Sequence, residues 1–270
     1  MQMKNKIFFA FAALSLLCGC KPELVILHVN DTHSHYEPVN YGSRKGQAGV
    51  IERAALVDSV RAVHGDENVL LLHAGDFSQG STYYSELKGQ FEPRIINALR
   101  YDCITLGNHE FDDDIESLTE RLSQLTDTKV VCANVDFSQF ELAKYVSPYA
   151  ILNKAGRKIG IIGLETNLSR VVSRVVSSRL PQLDNVKETN RWADFLKNEQ
   201  KCDIVILLSH QGYEGDMWLV PQIRNVDLVI GGHSHTFLED FTYVEDLDGR
   251  KVPVIQAGEW GYRIGEVKVR

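Results

Sequence analysis

The sequence predicts an α/β fold, and three observations carry that expectation. From residue 24 onward, short apolar runs rich in Val, Ile and Leu alternate with amphipathic stretches of helical period, the pattern of strands with helices packed on their sheet. Five of those runs end on Asp, Asn or His, several behind a glycine, as strands do when they open into loops that carry chemistry. The composition, 44% hydrophobic and 24% charged, supplies the core of an ordinary globular protein. The 270 residues contain no internal repeat or Pro/Ser-rich linker, so the chain reads as an export segment, 1–19, and one domain, 20–270. A formal net charge of −7 argues against a nucleic-acid partner, which needs a basic surface.

The first segment stands outside the fold. Lys4 and Lys6 precede the apolar run Ile7 to Leu17, too short to span a bilayer and of the length of a signal-peptide core. It closes in Leu17-Cys18-Gly19-Cys20, which resembles a bacterial lipobox. That resemblance implies cleavage before Cys20, a lipid on its sulfur, and an exported protein held on a membrane of the cell envelope. The remaining cysteines, Cys103, Cys132 and Cys202, are odd in number, sit in or beside apolar runs and include no Cys-x-x-Cys pair. They read as small buried hydrophobes.

Leu24 to Val29 is the first expected strand. Gln47 to Val63 follows as a helix, with Val50, Ala54, Val57 and Val60 on one face. Val69 to His73 is a strand, and Phe91 to Leu99 a helix that tolerates Pro93 in its first turn. Cys103 to Leu106 is a buried strand, Ile115 to Leu125 a helix, and Val130 to Ala133 and Lys158 to Gly163 are strands. Leu168 to Val186 has no clear period and is expected to form a loop with a short helix. Glu188 to Asn198 is a helix, Asp203 to Leu208 and Leu228 to Ile230 are strands, and Val252 to Gln256 and Tyr262 to Val269 close the domain.

The strand ends are the informative part. They deliver Asp31-x-His33, Gly75-Asp76, Gly107-Asn108-His109-Glu110, Ser209-His210 and Gly231-Gly232-His233-Ser-His235. A lone His-x-His means little, but five such ends together describe a polynuclear metal site. Oxygen and nitrogen donors of this kind suit Zn²⁺, Mn²⁺ or Fe²⁺. Two ions bridged by a carboxylate such as Asp76 would activate a shared water and stabilise both oxygens of a phosphoryl transfer.

These blocks resemble the calcineurin-like metallophosphoesterase pattern. Asn30-Asp31-Thr-His33 and Gly107-Asn-His-Glu-Phe-Asp112 more narrowly resemble its secreted 5′-nucleotidase/UDP-sugar hydrolase branch. The resemblance runs from about residue 24 to the C-terminus and implies a four-layer αββα sandwich with a centre of two divalent metal ions between the sheets. It implies that Asp31, His33 and His235 hold one ion, that Asn108, His210 and His233 hold the other, and that Asp76 bridges them. It also implies that His109 binds no metal but stabilises the transition state and protonates the leaving group, oriented by Asp112. The other polar residues have plainer readings. Glu110 is a fold residue bonding the loop, His28 and His73 are core residues within strands, and His35 is solvated or supports a ligand. His64 ends a helix, where a cation is favoured.

Two-domain 5′-nucleotidases continue into a second domain that grips the nucleoside, and this sequence stops at Arg270. Either a separate polypeptide resembling that domain is a partner, or substrate is selected by other means. The leading expectation is a phosphomonoesterase on exported nucleotides. The alternatives are a related dimetal hydrolase (a 2′,3′-cyclic phosphodiesterase or a thiosulfohydrolase) or a non-catalytic binding lipoprotein, against which stands the full set of ligands and His109.

Stable anchoring takes at least two membrane signals, and a multiply acylated cysteine meets that need. Cys20→Ser is expected to move the protein from the membrane to the soluble fraction, as read by fractionation. Wild-type protein found soluble with an unmodified Cys20 by mass spectrometry would overturn the lipoprotein reading.

Overall fold

The computed structural model describes residues 21–270, so the expected export segment and Cys20 lie outside the described residues. Among the described residues, twelve strands form two sheets of six. The first sheet holds β1 (Leu24–Val29), β2 (Val69–Ala74), β3 (Cys103–Thr105), β4 (Lys129–Val131) and β5 (Val146–Ser147), joined by β12 (Gly265–Val269). Its order is β12-β1-β2-β3-β4-β5, parallel except for β12 against β1. The second holds β6 (Tyr149–Lys154), β7 (Arg157–Glu165), β8 (Ile204–His210), β9 (Leu228–Gly231), β10 (Thr242–Glu245) and β11 (Lys251–Gln256). Its order is β10-β11-β9-β8-β7-β6, parallel through the centre with an antiparallel strand at each edge.

Among the described residues, eight α-helices connect these strands: α1 (Val50–His64), α2 (Thr82–Leu87), α3 (Glu92–Leu99), α4 (Ile115–Leu122), α5 (Leu168–Val171), α6 (Arg174–Ser177), α7 (Asn185–Asp194) and α8 (Tyr213–Leu219). Alternation along the strands sets the layering. In β1, Val25, Leu27 and Val29 face out onto Val57 of α1, Ile96 and Leu99 of α3 and Leu118 and Leu122 of α4. Leu24 and Ile26 face the other way, onto Ile159, Ile161, Ile206 and Ile230 of the second sheet. That sheet's outer face, Ile162, Leu164, Val205 and Leu207, packs on Ala193 of α7 and Leu219 of α8. Three apolar layers between four layers of elements make the αββα sandwich that the resemblance implied.

Most predicted elements appear, with shifted ends. Helix α1 starts at Val50, not Gln47, because Gly46, Ala48 and Gly49 all have positive φ, which helical backbone cannot continue. Strand β12 starts at Gly265, not Tyr262, because Gly258, Trp260 and Gly261 turn left-handed before it. The helix expected to reach Leu125 ends at Leu122, and the strand expected to reach Ala133 ends at Val131. The helix of residues 188–198 is α7 continued by a π-turn, Phe195–Glu199, while residues 168–186 hold the two one-turn helices α5 and α6. Strands β5, β6 and β10 and helices α2 and α8 had no clear signal, being short or at sheet edges where only part of each face is buried. Cys103, Cys132 and Cys202 are buried free thiols, as expected. Among the described residues, no helix is long and apolar enough to cross a membrane.

The sheets approach closely at Gly163 of β7, where a Cβ would collide with the Val131 carbonyl of β4 and lie 2.8 Å from Thr105 Oγ1 of β3. Backbone atoms cannot retreat as a flexible side chain can. Gly163→Ala is therefore expected to destabilise the protein by about 1–3 kcal/mol, the usual cost of overpacking a core. A denaturation midpoint equal to the wild type's would refute the close approach.

Candidate metal centre

The carboxyl ends of β1, β2 and β3 in one sheet and of β8 and β9 in the other open toward the same gap. At these ends the chain does something rare for residues with side chains. Asp31, His33, Asp76, His233 and His235, five of the seven expected ligands, have φ between 49° and 72°. Left-handed backbone costs roughly 1–2 kcal/mol per non-glycine residue and persists only where the surroundings enforce it. Here hydrogen bonds enforce it. Asp31 N–H donates to Gly75 O at 2.9 Å and His33 N–H to Asp76 O at 3.0 Å, lacing the two loops of the first sheet together. His233 N–H donates to Asp31 Oδ2 at 2.9 Å, joining the sheets. Gly232 makes that approach feasible, since a Cβ there would meet the Ala74 carbonyl and His210 Nδ1.

The turned-in side chains form two groups, Asp31, His33 and His235 in one and Asp76, His210 and His233 in the other, each with ligand atoms within 4.8 Å of one another. His33 Nε2 and His235 Nε2 stand 3.0 Å apart, with Asp31 Oδ1 3.4 Å from the latter. Two nitrogens bound to one ion at about 2.1 Å each would be about 3.0 Å apart at a right angle and about 3.4 Å at the tetrahedral angle, so the pair stands near the spacing of adjacent ligands. Asp76 Oδ2 lies 3.0 Å from His210 Nε2 and 3.9 Å from His33 Nε2, between the groups, where a bridging carboxylate belongs. Asn108 is buried with no hydrogen-bond partner for Oδ1, and His210 Nδ1 is engaged by the Ala74 carbonyl at 2.6 Å, which leaves Nε2 free to ligate. The donors therefore fit two divalent cations.

The electrostatics agree. Burial opposes ionisation of Asp76, yet His210 and His33 outweigh it and hold the carboxyl well below its ordinary range. Burial likewise disfavours a charged His210, but Asp76 and Asp31 hold it well above its usual value. The hydrogen bond to Asp31 raises His235, whereas burial lowers His33 and His233. This is a gap built around carboxylates that demand positive charge.

His109 stands beside it, in edge contact with the His33 ring at 5.3 Å. Its Nδ1 meets Asp112 Oδ2 at 2.6 Å, and its backbone N–H donates to Asp76 Oδ1 at 2.9 Å. Burial pulls this imidazole down, but Asp112 and Asp76 prevail and raise its pKa to about 9. His109 also forms a third potential group with His33 and Asp76, through the same crowding. Glu110 binds the loop, as read from the sequence. Its carboxylate accepts from the N–H groups of Gly107 (2.6 Å), Asp76 (2.9 Å) and Ser78 (3.0 Å). The fully buried Arg121 secures it from behind, donating to Glu110 O at 2.6 Å.

A family model described as calcineurin-like phosphoesterase matches residues 24–237. The chain belongs to that family. It is 35% identical to a snake-venom 5′-nucleotidase of Crotalus adamanteus, the match covering 96% of this chain and 47% of the relative. With the human 5′-nucleotidase it shares 33% identity over 92% of this chain and 46% of that one. The solved 5′-nucleotidase precursor of Thermus thermophilus superposes with a TM-score of 0.84 at 34% identity, covering 92% and 51%. The NAD nucleotidase of Haemophilus influenzae gives 0.78 at 30%, covering 92% and 47%. The chain spans about half the length of the curated relatives it matches.

All nine residues singled out from the sequence thus gather at one gap or its edge. His73 is a buried core residue whose Nε2 meets Thr32 Oγ1 at 2.9 Å while its Nδ1 has no partner, and His28 is fully buried with neither ring nitrogen partnered. His35 stacks on Trp260 at 3.9 Å, and its Nδ1 meets the His33 carbonyl at 2.8 Å. Sequence reasoning missed the turn that carries Trp260 and Glu259, whose Oε2 lies 2.8 Å from His235 Nδ1. Its only cue was a Gly-Glu-Trp-Gly run just before the last strand. Glu110→Ala would strand three buried N–H donors, each costing at least about 1 kcal/mol, so a loss of roughly 3 kcal/mol or more is expected in denaturant unfolding. Near wild-type stability would show that water replaces the carboxylate.

Proposed function

We propose that this chain hydrolyses phosphate monoesters, nucleoside 5′-monophosphates foremost, at a centre of two divalent ions of the Zn, Mn or Fe type. One observation carries the reading: two compact His/Asp groups lie side by side, with Asp76 Oδ2 3.0 Å from His210 of its own group and 3.9 Å from His33 of the other, and the His109–Asp112 pair stands alongside. Asp31, His33 and His235 would hold one ion, Asn108, His210 and His233 the other, and Asp76 both. Such a pair supplies Lewis-acid charge for the phosphoryl oxygens and activates water. His109 has Nδ1 committed to Asp112, so it carries its transferable proton on Nε2 and delivers it to the leaving oxygen, while Asp112 steadies the imidazolium. The nucleotide preference draws on the 5′-nucleotidases and the NAD nucleotidase that the chain resembles. It also draws on a trough of about 880 Å³ beside Asp112, walled by Tyr41, Tyr84, Lys88, Asp113 and Trp260, with room for a nucleoside. The lipobox-like Cys20 puts this activity, in the same proposal, on the envelope of the cell.

Purified, metal-loaded protein assayed on a nucleoside 5′-monophosphate, an aryl phosphate and a 2′,3′-cyclic nucleotide tests the reading. Both monoesters are expected to be cleaved in preference to the cyclic diester. His109→Ala is expected to lower kcat by about 10²–10⁴-fold with metal content unchanged. Loss of an ion from that variant would make His109 a ligand instead, and hydrolysis of the diester alone would end the monoesterase reading.

A further inference from the structure

The least enclosed ligand of the centre is also the most deliberately braced. The His235 side chain is 36% exposed, against 7% for His33 and none for His210. It sits on the loop after β9 with φ at 53°, so neither packing nor regular structure fixes its ring. What fixes it is the Glu259 carboxylate at 2.8 Å from Nδ1, on the side of the ring opposite Asp31 and His33.

Glu259 is itself held to the far sheet. Its turn follows β11 of the second sheet but is pinned to the loop after β1 of the first. Ala257 N–H donates to Asn30 Oδ1 at 2.9 Å, Asn30 Nδ2 donates to Gly258 O, and Trp260 N–H donates to Asp31 O at 2.7 Å. Trp260 takes a left-handed φ of 55° to do so, an outlier for so bulky a residue. Its ring in turn stacks on His35, two residues past His33. One turn thus registers Asp31, His33 and His235 against each other.

Among the described residues, no carboxylate besides Asp31 and Asp76 lies within 4 Å of a ring nitrogen of His210 or His233 in the second group. His210 Nδ1 is met by a neutral backbone carbonyl, that of Ala74. A carboxylate on an imidazole N–H both fixes the tautomer and strengthens the opposite nitrogen as a donor, more than a neutral acceptor does.

We propose that Glu259 is a positioning residue for the Asp31–His33–His235 site, and that through it the two metal sites are unequal. Glu259 aims His235 Nε2 at the ion and raises its donor strength, while the Asp76–His210–His233 site does not depend on it. The inference rests on the two-metal reading above.

The test is titration of metal-free wild type, Glu259→Gln and Glu259→Ala with Co²⁺, followed by calorimetry and by the visible absorption of the bound ion. Wild type should take up two equivalents. Glu259→Gln, which keeps the shape and removes the charge, should weaken one binding event by about 10–100-fold and leave the other unchanged. Glu259→Ala should weaken the same event at least as far, and the metal-free variants should melt with the wild type. Two unchanged events, or two weakened together, would overturn the inference while leaving the dimetal reading intact. A metal-free Glu259→Gln protein that melts well below wild type would assign Glu259 a structural role instead. Wild type that binds no cobalt would overturn the dimetal reading and the inference with it.

Discussion

Everything in this protein is arranged around the burial of Asp76. A carboxylate taken out of water without compensation costs several kcal/mol, and the protein does not neutralise it by protonation. Instead it surrounds the group. His210 approaches to 3.0 Å from the second sheet, His33 lies at 3.9 Å from the first, and the His109 N–H caps the other oxygen at 2.9 Å. Each of these partners comes from a different strand end, so the charge on Asp76 can be satisfied only when both sheets are in place. Folding and assembly of the centre are therefore one event.

That arrangement explains the local strain. A strand that ends normally sends its next side chains along its own direction, away from the gap. A left-handed step at Asp31, His33, Asp76, His233 and His235 turns them back across it. Asp and His tolerate that region better than most residues, which favours the residue types able to bind metal as well. The cost is offset by backbone bonds between loops, and by Glu110, which ties three N–H groups of two loops to a single carboxylate. These bonds place the candidate ligand atoms at metal spacing.

The sheets bring unequal support to the gap. The first sheet's loops are laced to each other and backed by Arg121, a large side chain with 1% of its surface exposed. The second sheet's His233–His235 loop depends on contacts that cross between sheets, from Asp31 to the His233 N–H and from the turn after β11 to His235. The more open side of the centre, toward the 880 Å³ trough, is also the side of His109 and Asp112. In the proposed function, substrate access and proton delivery would then share one face, opposite the buried His210.

The α/β class and the central strands were legible in the sequence, and the nine residues it singled out lie together in the fold. Period-2 and unbroken apolar runs are local properties, and each ligand block sits within a few residues of the run that positions it. The chemistry of Asp31, His33 and Asp76 was therefore written where it could be read. Strand ends such as Tyr262 against Gly265 were misplaced, because a left-handed Trp260 leaves no mark in composition. Edge strands β6 and β10 were missed because a strand covered by only one neighbour need not be apolar. Contacts across the sheets were beyond the reach of local pattern and came with the folded arrangement alone. That Asp31 caps His233, 202 residues away, and that Glu259 steadies His235, follow from the stacking of two sheets and not from any spacing along the chain.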